Sequence, residues 1–282
     1  MKRLACRARA SAAPAVLAVL AVLAALLFAS GPLQAGQACE PNAPTALAVE
    51  RSMSLAERTA QRLDDSGADV VVLARNGQDL SRWGLRWSHL GLAYRARSGD
   101  DDGRGGQPVW RVVHKLNHCG TAEGQLYRQG LAEFFLDDLY DYQAAYAVPR
   151  PEVQRHLLAL LQDNRRVATL HRAAYSMVAY PWAQTYQQSN QWAIETLALA
   201  EEPAADNRER AQAWLRLKGY EPSTLPIGAL TRLGARLSRA NVAFDDHPGE
   251  LLAADRIQTV TVDSVFAWLQ RSGLAGPIQT LR

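Results

Sequence analysis

Two apolar segments, WSHLGLAYR and VWRVVHKL, held apart by RSGDDDGRGGQP, constrain this chain more than anything else in it. Each segment alternates with a period of two, and the Gly- and Asp-rich connector is turn chemistry, so the unit reads as two strands joined by an exposed hairpin loop. The three aspartates resemble a calcium loop only superficially, because Arg111 stands where such a loop needs its bidentate glutamate. On the first strand Trp87, His89, Gly91 and Ala93 share a face, and on the next Trp110, Val112, His114 and Leu116 do. A lone histidine of this kind is ordinarily a core residue. Two on successive strands are candidates to meet across the pair.

Around this unit helices and strands alternate. The stripe Leu47, Leu55, Thr59 and Leu63 predicts a helix over 45–65 stopped by Gly67, and DVVVLAR predicts a strand over 69–75. GQDLSRWGLR reads as a loop or short helical turn, AEGQLYRQGLAEFF as a helix, AAYAV as a strand, and PEVQRHLLALLQD as a helix with Pro151 in its first position. A helix carrying Ser189 follows YSMVAYPWAQTYQQ; then come a helix over 207–217 stopped by Gly219, the helix ALTRLGARLSRA, and the segments NVAFDD, IQTVTV and DSVFAWLQRSG. With no internal repeat and no linker, residues 39–282 are expected to form a single α+β domain with a helical C-terminal elaboration.

Residues 1–38 read as a secretory signal peptide: Lys2, Arg3, Arg7 and Arg9 precede an apolar stretch over 15–29 and the small-residue run SGPLQAGQAC. About fifteen apolar residues are short of the roughly 20 that span a bilayer, so the expectation is removal, a periplasmic or secreted product, and no integral membrane segment. Gly36 stands where a lipobox needs an aliphatic residue, which disfavours lipidation at Cys39. Of 31 basic side chains four leave with the leader, so 27 face 28 acidic ones, and nothing indicates a nucleic-acid partner. Cys39 and Cys119 remain as a pair in an oxidising compartment. A bridge between them would contribute about 3–5 kcal/mol. The competing reading makes Cys119, flanked by His114 and His118, a reactive thiol.

Ser189 aligns at 100° per residue with Trp192, Ala193, Thr196 and Ala200, which puts its hydroxyl on the sheet-facing side of the helix, while Asn190, Gln191 and Glu195 point elsewhere. Serine is a common N-cap, yet Thr185 with Gln188 three residues on makes the better capping box. Asp245, Asp246 and His247 suggest either a metal site or a turn before Pro248, and the turn explains them as well; no metal or cofactor is assigned. Trp83, Trp87, Trp110, Trp182 and Trp192 read as core, with a glycan- or acyl-binding wall as the other possibility.

The order SHLGLAYR, VVHK, YQQSNQW resembles the circularly permuted papain-like fold of lecithin:retinol acyltransferase-like proteins and permuted NlpC-type hydrolases. The resemblance implies an antiparallel sheet packed against a nucleophile-bearing helix. It places His89, His114 and Ser189 at the catalytic positions, with serine where that group carries cysteine, and matches AAYSMVAYPW to a tyrosine-bearing segment before the nucleophile helix. VVVLARNGQDLSRWGLRWSHLGLAYR, WRVVHKLNHCGTA, FFLDDLY and ANVAFDDHP are also similar to an exported proteobacterial family of unknown function, numbered 2145 among such domains. Two functions follow as expectations. In one, Ser189 attacks an ester or amide of the cell envelope, His89 serves as base and then acid, and His114 orients it. In the other, a catalytically inactive module retains the cleft to bind an envelope peptide, glycan or lipid.

Overall fold

Seven consecutive buried residues, Val70–Asn76, form strand β1, and such a run belongs where both faces of a sheet are covered. The computed structural model describes residues 43–96, 108–137 and 139–282. The expected leader, Cys39 and the hairpin connector lie outside them. β1 lies between β2 (His89–Ala96) and β5 (Asp141–Ala147); β3 (Val109–Asn117) and β4 (Gly124–Gly130) extend the sheet on one side and β8 (Gln279–Leu281) on the other. Every pairing in this six-stranded sheet is antiparallel, in the order β4-β3-β2-β1-β5-β8. The architecture is α+β.

The alternation that identified the hairpin also divides the core. Leu90, Leu92 and Tyr94 of β2 and Val113 of β3 face one way and pack with helices α3 (Pro151–Leu161), α5 (Ser189–Glu201) and α9 (Val262–Arg271). Ala93, Trp110 and Val112 face the other way, toward α1 (Ala46–Asp65) and α2 (Leu131–Phe135). Each fully buried leucine or phenylalanine in these layers contributes about 1.5–3 kcal/mol. In α1, Leu55, Thr59 and Leu63 are buried as the stripe required, but Leu47 is exposed at the first turn. Gly67 ends that helix at φ 65°, in the left-handed region. Pro151 opens α3, as expected.

Two expectations are corrected. AEGQLYRQG is strand β4, not helix: Gly124 and Gly130 bound it, and the unpaired edge of β3 takes it up with His114 opposite Tyr127. Gly124 is required by close approach, since a Cβ there would lie 2.5 Å from Lys115 Cε. α5 is not amphipathic: Ser189–Ala200 are buried without exception. α6 (Arg208–Leu217) and α7 (Ala229–Ser238) are the expected helices. A separate two-stranded sheet joins β6 (Ser223–Pro226) to β7 (Arg256–Thr259), with Leu225, Ile227, Phe244 and Ile257 in its small core. Short helices α4 (Asn164–Ala168) and α8 (Gly249–Ala253), and a 3-10 turn over Ser81–Trp83 in the segment GQDLSRWGLR, complete the described elements.

Candidate functional site

The two strand histidines do meet. His89 Nε2 lies 2.9 Å from His114 Nδ1, and His114 Nε2 lies 2.7 Å from Gln129 Oε1. With that amide oxygen accepting, His114 carries its proton on Nε2, and His89 donates from Nε2 into the bare Nδ1 of His114. Gly91 gives the pair room, because a Cβ there would sit 2.4 Å from Val112 Cγ1 and 3.2 Å from Phe134 Cε2. Phe134 closes over both rings, with centroids 5.9 Å from His89 and 5.1 Å from His114. Beneath it the buried Arg75 guanidinium bonds to the Phe134 carbonyl and the Asp137 carboxylate. Burial, then Arg75 and His114, hold the His89 imidazole well below its ordinary range. Burial and Arg75 bring His114 down to about 4, against the opposing pull of Gln129 and Asp137. Two neutral imidazoles are the result at neutral pH.

Ser189 belongs to the other side of the sheet. By strand parity His89 shares the face of Ala93, and His114 that of Val112; both rings pack on Phe134 of α2. α5 lies against Leu90, Leu92 and Val113, on the opposite face. The Ser189 hydroxyl is buried there, 3.4 Å from the hydroxyl of Tyr175. No hydrogen bond joins it to His89 or His114 among the described residues. The expected trio is therefore a joined histidine pair and a separate serine–tyrosine pair. Tyr175 comes from the tyrosine-bearing segment that the permuted fold resemblance singled out. Burial raises its pKa, so the phenol stays protonated. Thr185 does not cap the helix: Gln188 occupies the N-cap position and Ser189 is the first helical residue. Asn190, next along, accepts from the backbone N–H of Leu90 at 2.9 Å, just before the β2–β3 pairing begins at Leu92 and Val113.

Sequence reasoning missed the groups that crowd the Ser189 side. Lys115, fully buried, donates from Nζ to the carbonyls of Arg172 and Gln187 and to Gln187 Oε1, at 2.5, 2.8 and 2.9 Å. Burial, then Arg208, bring it down to about 7, against the pull of Glu195. Gln187 Nε2 donates onward to Glu195, whose carboxylate also takes two hydrogen bonds from Arg208 and one from Gln212. The available signal was parity: a lysine one residue from His114 on an interior strand must point into the opposite layer.

The remaining candidates resolve into structure. Asp246 accepts from Tyr180 N–H at 2.9 Å and faces His247 Nδ1 at 2.9 Å, while His247 Nε2 lies 3.0 Å from the Gln258 carbonyl. Asp245 accepts from the Tyr186 hydroxyl. This clasp holds the turn to β7, and no group of three metal-binding side chains occurs among the described residues. The tryptophans form no single wall: Trp87 and Trp192 lie in the α5 layer, Trp110 in the α1 layer, and Trp83 beside the small core. Both nitrogens of His114 are engaged by His89 and Gln129, which leaves none to activate Cys119.

No helix among the described residues is long and apolar enough to cross a membrane. Neither a curated protein nor a solved structure matches the chain. Residues 62–269, spanning both the histidine pair and Ser189, match the model of a family described as an uncharacterized protein conserved in bacteria, DUF2145, and the chain belongs to that family.

Proposed function

We propose that this chain is a non-catalytic binding module of the cell envelope, exported by its N-terminal leader and built on a permuted papain-like frame. The frame reading is supported by α5 starting at Ser189 and packing on an antiparallel sheet just after a tyrosine-bearing segment. The observation that carries the absence of catalysis is the sidedness of the polar groups. The imidazoles that would serve Ser189 bond to each other on the far face of the sheet, and a serine hydroxyl without a base is a poor nucleophile. Its ligand, on this reading, is an envelope peptide, glycan or lipid. The same proposal includes a Cys39–Cys119 bridge, which thiol titration of the unreduced protein checks: two free thiols would remove it.

Fluorophosphonate labelling decides between this reading and the serine hydrolase or acyltransferase. The expected result is no adduct on Ser189, and no gain of thiol reactivity in Ser189→Cys. Labelling of the native chain that disappears in both Ser189→Ala and His89→Ala would establish the enzyme instead.

A further inference from the structure

β5 breaks step with β1 at its first residues. Arg75 pairs with Ala144 but Asn76 with Asp141, so Tyr142 and Gln143 stand opposite no residue of β1. A bulge of this kind bends the strand and re-aims its side chains. Here Tyr142 lines one cavity and Gln143 another, and Asp141 and Arg282 line both. The first cavity, about 470 Å³, lies against α1 at Glu50, Arg51 and Arg58; the second, about 300 Å³, is walled by Asn76, Asp79, Arg86 and Tyr140. Both fall in the range of small-molecule sites, about 300–1,000 Å³. Asn76 is only 7% exposed, yet no hydrogen bond ties its amide to any described residue. A buried amide without a partner weakens the fold, and one in the wall of a cavity points to a ligand that completes it. Untethered, it can turn about χ2 and present either its oxygen or its amino group.

The lining decides which chemistry fits. Arginines and carboxylates are interleaved along both walls, so neither sign accumulates as a phosphate or polyamine site requires. Among the described lining residues only Leu47, Leu80 and Leu85 are aliphatic, too few to house an acyl chain. The bulge interrupts the regular ladder that an added peptide strand would need. What remains is planar and polar. The amides of Asn76 and Gln143, the carboxylates and the guanidiniums each offer two hydrogen-bonding atoms side by side, as adjacent hydroxyls of a sugar ring do. Gln143 is already held in place, accepting from Arg86 and donating to Asp141. Tyr140, 61% exposed, offers a flat ring to the apolar face of a sugar. We propose that the two cavities bind an uncharged oligosaccharide, with Asn76 as its hydrogen-bonding anchor, Tyr140 as its stacking platform and sugar residues on both sides of Asp141. The proposal rests on the binding-module reading and gives it a ligand class and a place that does not involve Ser189.

Isothermal titration of the full chain with the tetrasaccharides of glucose, N-acetylglucosamine and mannose tests it. At least one is expected to bind saturably, and Asn76→Ala and Tyr140→Ala, made separately, are each expected to weaken that binding about ten-fold. Tyr140 is mostly exposed, so its replacement leaves the core untouched and supplies a readout that does not depend on how well Asn76→Ala folds. No saturable binding of any of the three sugars would overturn the proposal. So would binding that a folded variant at either position leaves unchanged, which would put the sugar elsewhere. Fluorophosphonate labelling of Ser189 in the same protein would remove the binding-module reading without altering the titration, so the two failures are told apart.

Discussion

The two faces of the central sheet each bury a polar cluster, and they solve the problem in opposite ways. On the α5 side charge is retained, because Glu195, fully buried, meets Arg208 at 2.9 Å in the company of Lys115, Gln187 and Gln212. On the α2 side the histidines are uncharged, and the buried Arg75 reaches outward to the half-exposed Asp137. The difference follows from supply. Where several segments converge, a buried charge can be surrounded by partners; between one short helix and a strand pair, the imidazoles satisfy each other instead.

Removing the centre of the charged cluster should have the largest effect. Glu195→Ala leaves Arg208 and Lys115 buried without their counter-charge, and a loss of about 3–5 kcal/mol is expected by urea denaturation at pH 7. Glu195→Gln, which keeps the shape and some hydrogen bonds, should fall between the variant and the native chain. A loss below about 1 kcal/mol for Glu195→Ala would mean that the two faces differ less than their geometry suggests.

Titration should separate the faces along the pH axis. The unfolded imidazole of His114 protonates near 6.5 and the folded one near 4, so the unfolded state binds more protons between those values. Stability from this side is fully present above pH 6.5 and is lost as pH falls toward 4, by about 3 kcal/mol for His114. His89, shifted in the same direction, adds to it. Lys115 acts in a different window: its folded pKa of about 7 lies below the unfolded 10.5, so its contribution grows as pH rises through that interval. Denaturation midpoints measured from pH 4 to 10 should therefore show His114→Gln flattening only the acid limb and Lys115→Met only the alkaline one. One variant altering both limbs would show the two clusters to be coupled through the sheet.

Much of this was legible in the chain, and the failures have physical causes. The strands at the centre of the sheet were readable from period two and apolar runs, and the meeting of His89 and His114 from their places on successive strands. β4 was not, because QLYRQG is too short and polar to declare a period, and its state is decided by the open edge of β3. The polar residues of α5 suggested a solvated face. Their partners, Arg208 and Gln212, lie on the next helix, and periodicity within one helix carries no information about what another brings to it. The sidedness of the site failed for a related reason. Parity tells which strand residues share a face, but which of the two faces α5 covers is a property of the connections, and those were not legible.

Ser189 should prove the least consequential of the buried polar groups. Its one side-chain partner among the described residues is the Tyr175 hydroxyl at 3.4 Å, at the long end of the hydrogen-bond range, and the phenol is held mainly by packing against Lys115 and Gly124. Ser189→Ala removes a weak bond and leaves a hydroxyl that can reorient, so a loss of at most about 1 kcal/mol is expected. Tyr175→Phe should cost a similar amount, and the double variant no more than either alone, since both delete one interaction. A serine kept as part of a working triad would behave otherwise. Its removal commonly relieves strain, and would leave stability unchanged or raised while activity vanished. A stabilised Ser189→Ala would therefore return the serine to the candidate catalysts, and it is the smallest measurement that bears on the sidedness of the sheet.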